Sequence, residues 1–442
     1  MPEIQPFRAL RYSRGNDLAK VLAPPSDGIS PALRARLAAR DPHNCVNLFL
    51  PEAAPGRSKY QVAGELLSAW TEGQILARDD RPCIYLLGQV FEHQGRRYLR
   101  RGLLARLRLH PFADGEISPH ESAPSEESIA GELELMKEVK ANLVPVFGVF
   151  EDDPGEAQKL MANLTAGRPE VEVATDDGVK SRLWSIVDPA VIASLQSLLA
   201  RRPIYVADGR ERYEAALAYR DWVDSLVRTP DSASHKYLLA FLCPLLDPGL
   251  VTLPTHRLVH GPDRAGDPGL RQRLEKFFEV RPVPGALSEA SNLTAALARL
   301  VESGARGPSF LLSVADHALS LLICLKPDFS VDSVASLPSS PVLRGLDAVV
   351  LNGLILSEVL GLSPESVSRG DNLRYSTNPD EVVRAVAAGE AQLGIFMNPT
   401  APERIRAVME AGEVMPKGSA SIHPKLPSAL LMNSVEPREL AY

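Results

Sequence analysis

Apolar runs bounded by glycine, proline or charge predict strands at Pro82–His93, Arg97–Leu109, Val144–Phe150, Glu170–Ala174, Arg182–Ile186 and Pro203–Ala207. Cys45–Leu50 has the same look. Apolar positions spaced three or four apart predict helices over 60–77, 129–141, 155–165, 189–199 and 211–226. His93-Gln94-Gly95-Arg96 is a hairpin turn between two of the strands. Ser30-Pro31 opens a helix, with serine as cap and proline at the first position. Lys140-Ala141-Asn142 closes one, with Asn142 suited to a left-handed cap. Residues 110–128 read as polar loop. The last third alternates strand-like Ser309–Val314, Leu319–Leu325, Leu393–Met397 and Ala429–Met432 with helices near 346–360, 379–388 and 402–410. The fold class is therefore α/β in the broad α+β sense, with mixed sheets and surrounding helices. Two α/β domains are expected, 1–260 and 261–442, unless the chain forms one integrated unit.

Composition narrows the function classes. A chain of 442 residues with 45% hydrophobic and 23% charged residues is an ordinary globular protein with a sizeable core. The net charge of -7 provides no global field for nucleic acid or an anionic membrane. Arginines 96, 97, 100, 101, 106 and 108 form a local basic stretch. Strand alternation is expected to place many of them on a solvated face. No apolar run is long enough to cross a membrane, and the amino terminus lacks a signal-peptide pattern, so a cytoplasmic location is expected. Cys45, Cys83, Cys243 and Cys324 are scattered singly, which fits reduced thiols and implies no structural zinc. Haem and flavin are not implied either.

The strongest local signal is Val206-Ala207-Asp208-Gly209-Arg210-Glu211-Arg212. A strand ends in Asp-Gly and a helix begins on Arg-Glu-Arg. A helix amino terminus exposes N–H groups and a partial positive charge, and arginine adds planar donors that match phosphate or carboxylate. Gly209 lets backbone approach a ligand. The plainer alternative is a capped, solvated first turn. Four other candidates carry weaker signals. His120-Glu121 pairs an imidazole with a carboxylate, suited to proton transfer. His256-Arg257 could neutralise a phosphate or simply end a strand. Lys417 and Lys425 flank a Gly/Ser stretch without the Walker spacing. Asp27 sits in the stiff loop Pro24-Pro25-Ser26-Asp27, as a base, a metal ligand or a turn former.

This turn, with Phe7-Arg8-Ala9, the 21–30 segment, Pro119-His120-Glu121, the 141–148 segment, the 247–259 segment and the 412–428 segment, resembles the family catalogued as domain of unknown function 1015. The resemblance runs in order over nearly the whole chain. It implies a ParB-like or sulfiredoxin-like core around Asp208-Gly209, a fold whose members bind nucleotide phosphates at a Gly-x-x-Arg turn and which includes free-serine kinases. Gly209 and Arg212 are the matching residues. Arg210 and Glu211 stand where that family usually carries two histidines. Phosphate binding survives this change better than histidine chemistry does.

The expected ligand is a small anion. By kinship it is ATP or ADP with Mg²⁺, acting with a hydroxyl or phospho amino acid of the serine type, in phosphotransfer or hydrolysis. Asp208, Glu211, His120, Glu121 and Asp27 are the candidate acid/base groups, with Asp27 or Asp208 as a Mg²⁺ ligand. Gly209, Arg210, Arg212, His256, Arg257, Lys417 and Lys425 are the candidate phosphate binders. The alternatives are a nucleotide-binding regulatory protein of the ParB-like type and an inactive paralogue. Nucleic-acid binding is not expected.

Overall fold

The computed structural model describes residues 1–25, 29–261, 263–265, 267–315, 319–331 and 334–441. The chain forms two compact units. Unit 1 comprises Met1–Pro119, Ala123–Val251 and Pro424–Tyr442, and unit 2 comprises His120–Ser122 and Thr252–His423.

Unit 1 is built on a nine-stranded mixed sheet. Its strand order is Ile117–Pro119, Ile204–Asp208, Val146–Phe150, Tyr237–Pro244, Arg96–Arg108, Ile84–His93, Lys180–Ile186 and Val171–Ala174. Ile4–Gln5 adds to Arg96–Arg108 as a further partner. The central hairpin turns at Gln94 and Gly95, both at positive φ (51° and 71°), so its strands pair in register from Tyr85↔Leu104 to His93↔Arg96. Alternation sets the core. Leu103, Ala105, Leu107, Leu238, Ala240 and Leu242 share a cluster with Tyr213, Ala216, Tyr219 and Val223 of the helix Arg210–Leu226.

The opposite face of the hairpin is not solvated as alternation alone suggests. Arg100 and Arg106 are fully buried. The carboxy-terminal segment covers them: Arg106 donates to Asn433, Glu439 and the carbonyls of Ser434 and Leu440, and Arg100 donates to the Pro424 carbonyl. Arg96 and Arg97 are exposed.

Unit 2 holds a six-stranded sheet in the order Phe278–Pro282, Leu319–Leu325, Ser309–Val314, Leu393–Met397, His256–Val259, Leu373–Ser376. Both faces are covered. Phe310, Leu312 and Val314 pack with Leu354, Ile355 and Val359, while Leu311 and Phe396 pack with Leu293, Leu300, Val382 and Val386. That is why these strands read as continuous apolar runs.

Several local expectations change. Cys45–Leu50 is no strand, because Val46–Phe49 is a helical turn whose first N–H is accepted by Asn44 Oδ1 at 3.0 Å. A short apolar run does not distinguish the two. The left-handed residue closing Glu126–Val139 is Lys140 (φ 49°), while Asn142 enters a strand pair with Asn433. Ala429 is left-handed (φ 57°), so the strand falls at Asn433–Ser434 instead of Ala429–Met432. The 110–128 loop contains the strand Ile117–Pro119. The helix over 347–359 changes from α to π winding at Leu351.

Candidate functional site

In unit 1 the strand Ile204–Asp208 pairs with Val146–Phe150, and its register shifts between Val206 and Asp208. Such a bulge turns the strand end and re-aims its side chain. Gly209 follows in the left-handed region (φ 85°) as the residue that caps the helix, so the cap is Gly209 and not Asp208. The Arg212 guanidinium curls back over Gly209, and a Cβ there would collide with it. The backbone conformation favours glycine here, and a Cβ would make the flexible Arg212 side chain shift.

Asp208 lies between two cations. Lys425 Nζ meets Asp208 Oδ2 at 2.9 Å, and Arg212 Nη2 stands 3.9 Å from Asp208 Oδ1. Arg212 Nη1 also donates to Glu211 Oε1 at 2.9 Å. Asp208 and Lys425 are each 29% exposed and Arg212 13%, so water reaches the cluster without dissolving it. Arg210 turns elsewhere. It pairs with Glu214 at 2.6 Å and lies 5.4 Å from the Phe112 ring centroid. Asp208 and Lys425, 217 positions apart in the chain, are brought together by buried groups that fix the tail. Gln89 Nε2 donates to the Lys425 carbonyl at 3.1 Å, and Arg100 bonds both Gln89 Oε1 and the Pro424 carbonyl. Arg100 Cζ lies 4.8 and 5.5 Å from the ring centroids of Phe147 and Phe241. Burial lowers its pKa to about 10, so it stays a cation at neutral pH.

Beside the turn lies a small cavity of about 30 Å³, lined by Arg212, Glu132, Leu135, Met136, Leu143 and Leu238 among others. Burial pushes the Glu132 carboxyl above the ordinary carboxylate range; Arg212 opposes that push and Glu211 adds to it. Glu132, Gln89 and Arg100 were not identified from the sequence. Glu132 looks like one more acid on an amphipathic helix, and Arg100 is hidden in a basic strand. Only the returning tail distinguishes Arg100 from its neighbours.

The other described candidates gather in unit 2. Glu121 accepts from the backbone N–H groups of Gly418 and Ala420, both at 3.3 Å, and stands 3.9 Å from His120 Nε2. Arg257 is fully buried, donates to the carbonyls of Thr255 and Gly418, and lies 4.5 Å from the Tyr375 ring centroid. Burial lowers its pKa to about 10. Lys417 Nζ lies 5.9 Å from the same ring. His256 accepts from the Met397 N–H through Nδ1, and burial, with Arg257 beside it, lowers its pKa to about 4. It is a neutral core imidazole at physiological pH. Asp27 lies outside the described residues.

Among the described residues no helix is long and apolar enough to cross a membrane. No curated protein matches the chain. Several solved structures are similar to parts of it. A conserved hypothetical protein from Pyrococcus furiosus has 12% identity and a TM-score of 0.35, covering 75% of this chain and 95% of its own. A free serine kinase in complex with AMP has 14% identity and a TM-score of 0.34, covering 74% and 92%. The C-terminally truncated SbnI from Staphylococcus aureus has 10% identity and a TM-score of 0.35, covering 76% and 90%. Likenesses at this level carry no argument about the site. The family match is of another kind, although it stops short of Lys417 and Lys425: the model of the family described as protein of unknown function, DUF1015, matches residues 4–349, and the chain belongs to that family.

Proposed function

We propose that the Asp208–Arg212 turn and Lys425 bind the phosphate of a small ligand, a nucleotide such as ATP or ADP or a phospho amino acid. The chain would then catalyse phosphoryl transfer to, or hydrolysis from, a small amino acid of the serine type. The observation that supports this is the convergence of Lys425 and Arg212 on Asp208 at the bulged end of a strand. Phosphoryl transfer asks chiefly for positioning and charge neutralisation. Arg212 and Lys425 supply the charge. In the transfer direction a substrate hydroxyl oxygen forms the new bond to phosphorus as the bond to the leaving oxygen breaks, and Asp208 takes the hydroxyl proton.

Mg²⁺ is the metal that such chemistry uses. Asp208 and Glu211 are the carboxylates able to meet it, and both already face a cation. That pairing suits an ion carried in on the ligand phosphates better than a protein-held one. The Gly209-x-x-Arg212 spacing is also the basis on which we infer kinship of unit 1 with the ParB-like and sulfiredoxin-like fold.

The test is turnover of serine with ATP or ADP, and of phosphoserine with water, by wild type and Asp208→Asn. We expect the variant to lose about 10²- to 10⁴-fold in rate while still binding the phosphate ligand. Equal rates in the two proteins would remove Asp208 from the chemistry. Binding without turnover in either direction would favour the regulatory alternative.

A further inference from the structure

A second constellation lies in unit 1, in the loop His110-Pro111-Phe112-Ala113-Asp114-Gly115-Glu116. The chain leaves the strand Arg96–Arg108, makes one 3₁₀ turn at Phe112–Asp114, and reverses at Gly115 (φ 81°) into the strand Ile117–Pro119. This fold brings one imidazole nitrogen and two carboxylate oxygens, from His110, Asp114 and Glu116, within 4.8 Å of one another. The donors are not saturated by the protein. His110 Nδ1 stands 4.0 Å from Asp114 Oδ2, beyond hydrogen-bond length. His110 Nε2 and Glu116 Oε2 are both shut off from solvent with no hydrogen-bond partner. A polar atom shut off from water and left unpaired is unfavourable. Two such atoms in one seven-residue loop lie on residues whose donor atoms already converge, which leaves donor capacity for a ligand.

The backbone of the loop is firmly held. Tyr213 Oη donates to the His110 carbonyl at 2.8 Å and accepts from the His110 N–H at 3.1 Å. Phe112 stacks on the Tyr213 ring with centroids 4.9 Å apart. Ile204 N donates to the Glu116 carbonyl at 3.1 Å. The nearby cations are engaged. The Met1 ammonium takes Glu116 Oε1 at 3.1 Å, leaving Oε2, and Arg108 pairs with Asp231 at 2.6 Å and Glu3 at 3.4 Å.

We propose that His110, Asp114 and Glu116 form a binding site for a borderline first-row divalent cation of the zinc class. The donor set argues for this class. An imidazole disfavours calcium and magnesium, which take oxygen, and the absence of thiolate disfavours copper(I). Three protein donors leave the remaining coordination positions to water, the pattern of an open site. Bound there, the ion would clamp the loop that carries Phe112 against Tyr213, in the first turn of the helix Arg210–Leu226. The inference is independent of the proposed phosphate chemistry.

The test uses the full, untagged chain freed of metal by chelator and titrated with Zn²⁺. Binding is followed by calorimetry and melting temperature, with Co²⁺ absorption as a ligand-field probe and Mg²⁺ as the control. We expect one equivalent of Zn²⁺, an upward melting shift of several degrees, and no response to Mg²⁺ at the same concentration. His110→Ala and Glu116→Gln should each weaken Zn²⁺ at least about tenfold, the usual cost of a lost ligand or its support. Glu116→Gln keeps the backbone bond to Ile204 and so preserves the fold, which its metal-free melting temperature checks. A Zn²⁺ response of wild-type size in both variants would overturn the assignment. So would the absence of any wild-type response up to about 1 mM Zn²⁺.

Discussion

Asp208-Arg212-Lys425 in unit 1 and Glu121-Arg257-Lys417 in unit 2 are built from the same residue types and spend them differently. In unit 1 the charged groups meet each other, side chain to side chain, and each keeps part of its surface in water. In unit 2 the carboxylate and the guanidinium are turned to the backbone. Glu121 receives two N–H groups, and Arg257 gives its protons to two carbonyls under the Tyr375 ring. A charge whose partners are backbone atoms defines a loop. A charge whose partners are other mobile charges can exchange them for a ligand. On this difference we propose the first cluster as the binding site, while the second fastens the 416–421 loop.

Arg257→Leu should cost the most, about 4 kcal/mol of stability, because it strips two carbonyls of their donor in a fully buried place. Urea denaturation reads it, and a loss under about 1 kcal/mol would mean that Arg257 fastens nothing.

Next comes pH. The pKa of His256 is lowered from the ordinary 6.5 to about 4, so between those values the unfolded chain holds more protons than the folded one. The stability it contributes is complete above pH 6.5 and is lost as pH falls toward 4, to the extent of about 3 kcal/mol for this 2% exposed ring. His256→Asn should flatten the acid limb of the stability curve; an unchanged limb would assign that limb to other groups.

Gly209→Ala is the smallest of the three. The left-handed backbone at φ 85° costs an alanine about 1–2 kcal/mol, and the new methyl also displaces Arg212. It should therefore weaken phosphate ligands as well as the fold, whereas Gly115→Ala, at φ 81° with open space around it, should lower stability without weakening phosphate ligands.

Much of the frame was legible beforehand, for a local reason. The hairpin at 93–96, the strand 204–208 and the helix that follows announce themselves through turn residues and periodicity, and the structure has them. What was not legible depends on chain segments far apart in sequence. Arg100 and Arg106 lie in a basic stretch expected to put many of its arginines on a solvated face, because nothing in a strand tells that the segment from residue 424 will cover its outer face. The same contact places Lys425 on Asp208. Asn142 was a reasonable left-handed cap by propensity, yet the sheet took it and left that conformation to Lys140. His110, Asp114 and Glu116 stood in a stretch read as polar loop, where the strand Ile117–Pro119 could not be seen.

We propose that Arg212 and Lys425 exchange their carboxylate partners for phosphate. The most direct measurement is a melting-temperature screen of wild type, Arg212→Ala and Lys425→Met against ATP, ADP, serine, phosphoserine and inorganic phosphate, with and without Mg²⁺. The account predicts a rise of several degrees in wild type with at least one phosphate-bearing ligand, and its loss in both variants. A rise of equal size in all three proteins, or none in wild type, would contradict it.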